Sequence, residues 1–316
     1  MSRIDEALRR AGTEETSVSP VTLPSAAVSG TDVFESPWAF NQNEPATEVG
    51  AQPGLTPPVL DGTISKDGRL GLLQGFPSEL ASRIVASPTA SPVLTEQFRR
   101  LAAALHHSQL VQGTKVVMVT SANPADGKSL TAANLALTLS QSYRRQVLLV
   151  DADLRRPSMH EIFRVPNVAG LNDGLKAKHD AKLSVLQISE TLTLLPAGRP
   201  DPDPMSSLTS ARMSEILKEG ASRFDWVIVD TAPIGLLADA NLLSTIVDGA
   251  LLVIRAGQTP FAAVTRAVEN LGRDRILGVV LNASDTGGAH QEYYGHYSPT
   301  PPAAPGEGTT ALAKSF

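Results

Sequence analysis

The chain of 316 residues contains no cysteine. That absence excludes a disulfide framework, a zinc–thiolate centre and a cysteine-ligated iron–sulfur cluster. Aromatic residues are sparse at 4 %, with only four tyrosines and two tryptophans, so any clustering of them carries information. No apolar run approaches the roughly 18 residues of a membrane-spanning helix, and residues 1–10 lack the apolar core of a secretory signal. The expected location is therefore the cytoplasm. A basic excess is missing too: 27 Lys and Arg stand against 32 Asp and Glu, for a formal charge of −5, so no nucleic-acid partner is expected. The six histidines show no metal-ligand spacing, and the adjacent His106 and His107 would point to different faces of a helix.

Lys and Arg are absent altogether from residues 11 to 65, which carry seven carboxylates among many Pro, Ser, Thr and Gly. Such a composition cannot bury enough apolar surface to offset the entropy of ordering. Residues 13–87 are therefore expected to form a mostly disordered acidic linker, with a Gly-interrupted hairpin or loop over 60–77. Ahead of it, Ile4, Ala7, Leu8 and Ala11 recur at helical spacing opposite charged residues. Residues 1–12 thus read as a short amphipathic helix that is marginal alone in water. It suits docking on a partner, with a frayed terminus as the alternative.

From about residue 88 to 285, short apolar runs alternate with helical patterns. Strands are expected at 115–121, 146–151, 191–195, 225–230, 248–255 and 276–282. Helices are expected at 95–112, 128–141, 158–164, 171–176, 208–221, 238–245 and 260–271. This alternation predicts an α/β fold with a mostly parallel sheet, helices on both faces and a ligand at the carboxyl ends of the strands. Residues 286–316, rich in Gly, Ser, Thr and Pro, read as a flexible tail.

Three signatures occupy such strand ends. The first strand runs into Asn123-Pro124-Ala125-Asp126-Gly127-Lys128-Ser129-Leu130. An apolar strand followed by a loop ending Gly-Lys-Ser and opening a helix places backbone N–H groups, a helix N-terminus and an ammonium around a polyphosphate, with the Ser129 hydroxyl facing Mg²⁺. The second and third strands end in Asp151-Ala152-Asp153-Leu154-Arg155 and Asp230-Thr231-Ala232-Pro233. Mg²⁺ keeps most of its waters and is held by one or two carboxylates together with phosphate oxygens, for which Asp151, Asp153 and Asp230 are the candidates. A lone strand-end Asp is often a cap or turn former; the ordered set of three motifs points to a P-loop NTPase fold with a nucleotide site and Mg²⁺.

Three of the four tyrosines, Tyr293, Tyr294 and Tyr297, fall within five residues of the tail. A segment with nothing to pack against gives buried-tyrosine roles no basis. Two readings remain: a stacking or docking motif, or phosphate acceptors that gain nearly two negative charges each.

On these residues the chain, over roughly 88–298, resembles the bacterial tyrosine kinases tied to capsule and exopolysaccharide export. That family's Walker A run Pro-Gly-Glu-Gly-Lys-Ser is similar to Pro124–Ser129, its Asp-x-Asp-x-Arg to Asp151–Arg155, its Asp-x-x-Pro to Asp230–Pro233, and its tyrosine cluster to the tail. Gly170–Leu175, Leu195–Gly198 and Val247–Gly257 resemble further family runs in the same order. The chain departs at Ala125, where the family has Gly, and at Ala102, where the oligomerisation motif begun by Glu96 and Arg99 has a second Arg. The resemblance implies an ATP- and Mg²⁺-dependent tyrosine autokinase that regulates polysaccharide polymerisation and export. Its nucleotide contacts would be Asn123 and the 125–130 segment, and its metal residues Ser129, Asp153 and Asp230. Lys128, Asp151, Asp153 and Arg155 would be catalytic, Asp151 orienting or deprotonating the tyrosine hydroxyl. Arg155 is left open between stabilising transferred charge and making a salt bridge. The implied partners are a membrane polysaccharide co-polymerase that activates the domain and recruits it to the inner membrane face, a tyrosine phosphatase, and other copies of the chain through the Glu96–Arg99 helix. The rivals are a septum-site or partition ATPase, whose extra signature lysine is replaced here by Asn123, and an ATP-binding scaffold without catalysis.

Overall fold

A computed structural model describes residues 38–40, 75–177, 183–235 and 238–284. The expected 1–12 helix, most of the linker and the tail bearing Tyr293, Tyr294 and Tyr297 lie outside the described residues. The elements in chain order are β1 (Trp38–Phe40), α1 (Ser78–Ala81), α2 (Pro92–Gln112), β2 (Val116–Ser121), α3 (Lys128–Gln141), β3 (Val147–Asp151), α4 (Met159–Phe163) and α5 (Leu171–Lys176). There follow β4 (Leu183–Ser189), β5 (Leu192–Leu195), α6 (Met205–Leu208), α7 (Ala211–Arg223), β6 (Trp226–Asp230), α8 (Ala238–Ser244), β7 (Gly249–Arg255), α9 (Phe261–Leu271) and β8 (Ile276–Asn282).

The strands form one sheet in the order β1-β4-β5-β3-β6-β2-β7-β8. Every neighbouring pair is parallel except β4 with β5. The central strands are buried on both faces, which is why they read as continuous apolar runs. Their period of two divides them: Val117, Val119, Leu149 and Ile228 join the core under α2 and α3, whereas Met118, Leu148, Val150 and Val229 join the core under α7 and α9. Helix α3 is buried from Thr131 through Ser140, because it lies between the sheet and α2.

The expected strands and most helices form close to the expected bounds. The helix expected over 208–221 is instead two, α6 and α7, divided where the Ser210 hydroxyl accepts the Met213 N–H at 3.3 Å as an N-cap. Strand β4 was not anticipated: Ser184 and Gln187 are exposed and a bulge at Gln187/Ser189 breaks its alternation. Packing also begins before residue 88. Ile84 is fully buried, Phe76 sits 6.1 Å from the Phe163 ring, and the Asn134 side chain bonds Val85 N and Arg83 O at 2.9 and 2.8 Å. Within the stretch expected to be disordered, Trp38–Phe40 pairs in parallel with Leu183–Val185.

Candidate active site

The order β3-β6-β2 at the middle of the sheet brings all three signatures to one rim. Register pairs Asp151 with Asp230 and Val119 with Asp230, so the carboxylates and the phosphate-binding loop rise side by side. Leaving β2, the chain passes through left-handed backbone at Ala125 (φ 65°) and Gly127 (φ 100°) before α3 opens at Lys128. Such a turn aims successive N–H groups into one concavity, continuous with the helix N-terminus.

The loop is held from outside that concavity. The buried Asp126 carboxylate accepts Asn123 N–H at 2.9 Å through Oδ2 and the Thr259 hydroxyl at 2.8 Å through Oδ1. Asn282 Nδ2 donates to the Asp126 carbonyl at 2.8 Å and fills the space beside Gly127, 2.0 Å from where a Cβ there would lie. Arg255 Nη1 donates to the Ala125 carbonyl at 3.4 Å. Thr259, Asn282 and Arg255 come from the ends of β7 and β8, and the sequence reading named none of them as site residues. Leu130 sits half-buried against the core under α3.

Lys128 Nζ lies 2.8 Å from Asp153 Oδ2, 3.8 Å from Asp230 Oδ2 and 3.0 Å from Ser129 Oγ, to which it donates. Burial alone would lower its pKa. The Asp230 charge, then the Asp153 charge and hydrogen bond, outweigh that and hold Lys128 above its usual range. Asp151 Oδ2 accepts the N–H groups of Ser158 and Met159, each at 3.0 Å, while its buried Oδ1 accepts no hydrogen bond. Complete burial, reinforced by the Asp230 charge, pushes Asp151 up to about 8. Burial also raises Asp230, to about 6, with Lys128 as the chief opposing influence. Both Asp230 oxygens are buried with no partner at hydrogen-bond distance, and after Lys128 the neighbouring Ser129 hydroxyl is the next influence that opposes the rise.

Buried carboxylate oxygens without donors, beside a hydroxyl and an ammonium at the mouth of a phosphate loop, form a donor set that fits Mg²⁺ with a nucleotide. Among the described residues no group of three or more His, Asp or Glu forms a self-sufficient metal cage. The phosphate oxygens would complete the shell.

Of the alternatives left open for Arg155, the salt bridge is present. Its Nε and Nη2 donate to Asp239 Oδ2 and Oδ1 at 2.5 and 3.2 Å, and its Nη1 donates to the Pro202 carbonyl. The fourth tyrosine, Tyr143, is structural: its hydroxyl donates to the Arg99 carbonyl at 3.0 Å and its ring packs near His106.

The sequence and the fold have counterparts among known proteins. The tyrosine-protein kinase YwqD of Bacillus subtilis is 35 % identical over 223 residues, covering 70 % of this chain and 93 % of that protein. The chain belongs to the bacterial tyrosine kinase family. The kinase domain of the Escherichia coli tyrosine kinase ETK superposes with a TM-score of 0.56 at 29 % identity, over 62 % of this chain and 79 % of that one. The succinoglycan biosynthesis transport protein ExoP of Rhizobium meliloti is 34 % identical over 219 residues; these are 66 % of this chain and 27 % of ExoP. No protein-family model matches the sequence. In this member of the family Glu96 pairs across the surface of α2 with Arg99 at 3.9 Å and Arg100 at 3.5 Å. Ala102, at the position of the family's second Arg, is fully buried and unavailable to a neighbouring molecule.

Proposed function

We propose that this domain is an ATP- and Mg²⁺-dependent protein-tyrosine kinase that phosphorylates Tyr293, Tyr294 and Tyr297 of its own C-terminal segment and thereby regulates exopolysaccharide polymerisation and export. The observation that carries the reading is the convergence on one rim of the Lys128 ammonium, the Ser129 hydroxyl and three strand-end carboxylates, two of which retain buried oxygens without a donor. When bound, ATP supplies the phosphoryl group and Mg²⁺ the positive charge that balances it. The 125–130 backbone and Lys128 hold the phosphates, and Asn123 flanks them. Ser129, Asp153 and Asp230 would hold the metal.

Asp151, fixed by the Ser158 and Met159 N–H groups, would ionise when bound Mg²⁺ brings positive charge to the site, and its free Oδ1 would then take the proton of the acceptor tyrosine as the phenolic oxygen bonds to phosphorus. The electrons of the broken bond leave on the bridging oxygen of ADP, beside Lys128. Arg155 supports this arrangement through its contact with Asp239.

The likeness to the succinoglycan biosynthesis transport protein ExoP supports a membrane polysaccharide co-polymerase as activator. Among the described residues no helix is long and apolar enough to cross a membrane. A cytoplasmic protein recruited to the inner membrane face by that activator, reset by a tyrosine phosphatase and self-associating through α2, completes the proposal.

The test is mass spectrometry of the C-terminal peptide after incubation with ATP and Mg²⁺, for the wild type and Lys128→Met. Phosphotyrosine that requires Lys128 supports the kinase. ATP hydrolysis with unmodified tyrosines would replace it with a positioning ATPase.

A further inference from the structure

The carboxylates that approach Lys128 stand on different strands, and the loops that follow those strands are joined by one ion pair. Asp153 and Arg155 follow β3, whereas Asp239 lies on α8, the first helix after β6 and Asp230. Arg155 is 27 % exposed at the side chain and Asp239 4 %, so the anion is buried and its two-pronged contact with the guanidinium is its principal compensation. The same guanidinium reaches the Pro202 carbonyl, and Asp201 N–H donates to the Leu154 carbonyl at 2.8 Å. Lys176 on α5 pairs with Asp201 at 2.5 Å. Arg155 is thus the point where the loops after β3 and β5 and the helix after β6 are tied together.

A surface pair of this kind contributes little, but a planar fork with a buried carboxylate fixes distance and angle. The distances it governs are functional ones. Asp153 and Asp230 approach the same ammonium at 2.8 and 3.8 Å, so a small shift of the loop that carries Asp153, relative to the end of β6 that carries Asp230, changes how both meet one cation. Displacements on the order of 1 Å at such sites cost about 100-fold in rate.

We propose that Asp239 is a positioning residue of the reaction: through Arg155 it sets the spacing between Asp153 and Asp230, and so the coupling between Mg²⁺ and nucleotide. Arg155 is a strut, and its charge is spent on Asp239 rather than on the transferred group. This inference rests on the kinase reading for its catalytic consequence, but not for its binding consequence.

The test uses the full chain with Asp239→Asn, which removes the charge and keeps the shape, Arg155→Gln, and the double variant. Affinity for a fluorescent ADP analogue is measured in EDTA and in Mg²⁺, alongside melting temperature and kcat and KM for tail phosphorylation. Asp239→Asn is expected to leave affinity in EDTA within twofold of wild type, to remove most of the gain on adding Mg²⁺, and to lower kcat about tenfold or more with a smaller change in KM. The double variant should be no worse than the more impaired single one. A lowered melting temperature with an intact Mg²⁺ gain and kcat would make the pair merely structural and overturn the proposal, as would additive losses in the double variant. A wild type that binds Mg²⁺-nucleotide without phosphorylating tyrosine would sink the kinase reading alone, and the Mg²⁺ gain would still decide the strut.

Discussion

Asp151→Asn is expected to make the ligand-free protein less sensitive to alkaline pH while abolishing tyrosine phosphorylation. In the folded protein the carboxyl is completely buried and its pKa is raised from 3.8 to about 8. A group whose folded pKa lies above its unfolded one lends stability that is complete below the unfolded pKa and is lost as pH rises through the folded one. Between about pH 5 and pH 8 the unfolded chain carries Asp151 ionised and the folded chain carries it protonated, so stability falls by up to about 1.4 kcal/mol per pH unit. That gives about 4 kcal/mol as an upper bound, and sharing the titration with Asp230 brings the expectation to about 2–3 kcal/mol. The amide oxygen of Asn still accepts the Ser158 and Met159 N–H groups, and the packing cost of its NH₂ is the same at both pH values, so it cancels in the comparison. Urea unfolding of both proteins in EDTA near the two pH values measures the difference. Equal pH dependence in wild type and variant would refute the reasoning, because Asp151 would then ionise in the fold as freely as in water.

Further substitutions probe the phosphate loop and its surroundings. Ala125→Gly relieves a left-handed alanine but adds unfolded-state entropy, so calorimetry should show a gain of no more than about 1 kcal/mol with nucleotide affinity intact; a clear loss would mean that the Ala125 methyl makes a needed contact. Gly127→Ala places a methyl at φ 100° against the Asn282 amide and is expected to cost about 1–3 kcal/mol and most nucleotide affinity, measured by titration. Gly170→Ala meets backbone instead, with the Pro196 carbonyl 2.1 Å from the new Cβ, and should lower the melting temperature sharply at on the order of 3 kcal/mol or more; a small shift would show that the α5 contact yields easily. Asp126→Ala removes the acceptor for Asn123 N–H and the Thr259 hydroxyl, for a loss of about 1–3 kcal/mol in chemical denaturation.

What the sequence disclosed and what it hid follow from range. Val116–Ser121, Val147–Asp151 and Trp226–Asp230 are buried at every position, so their apolar runs, and the motifs that end them, are legible without any partner. Leu183–Ser189 has exposed positions and a bulge, and its polar residues conceal it. Phe76 and Ile84 lie in a stretch of mixed polarity with no strand or long-helix period, and the core they join is built from residues far along the chain, among them those of α3 and α4. The same applies within the site. Thr259 and Asn282 are 133 and 156 residues from their partner Asp126, and Asp239 is 84 from Arg155, distances at which no local spacing can signal a contact. Gly127-Lys128-Ser129 announces the loop; nothing near it announces what braces the loop.

A site that keeps its own cation must surrender it to bind an anion. When the Lys128 ammonium turns from Asp153 and Asp230 to phosphate oxygens, Asp230 loses the chief influence that opposes its burial and becomes a stronger base. Near pH 7, nucleotide entering without Mg²⁺ is then expected to draw a proton into the site, and Mg²⁺ arriving afterwards to expel it. Binding heats should differ between buffers of different ionisation enthalpy in EDTA, with that difference shrinking or reversing once Mg²⁺ is present. Nucleotide, metal and proton would then form a three-way exchange, in which ambient acidity and free magnesium both act on loading of the site.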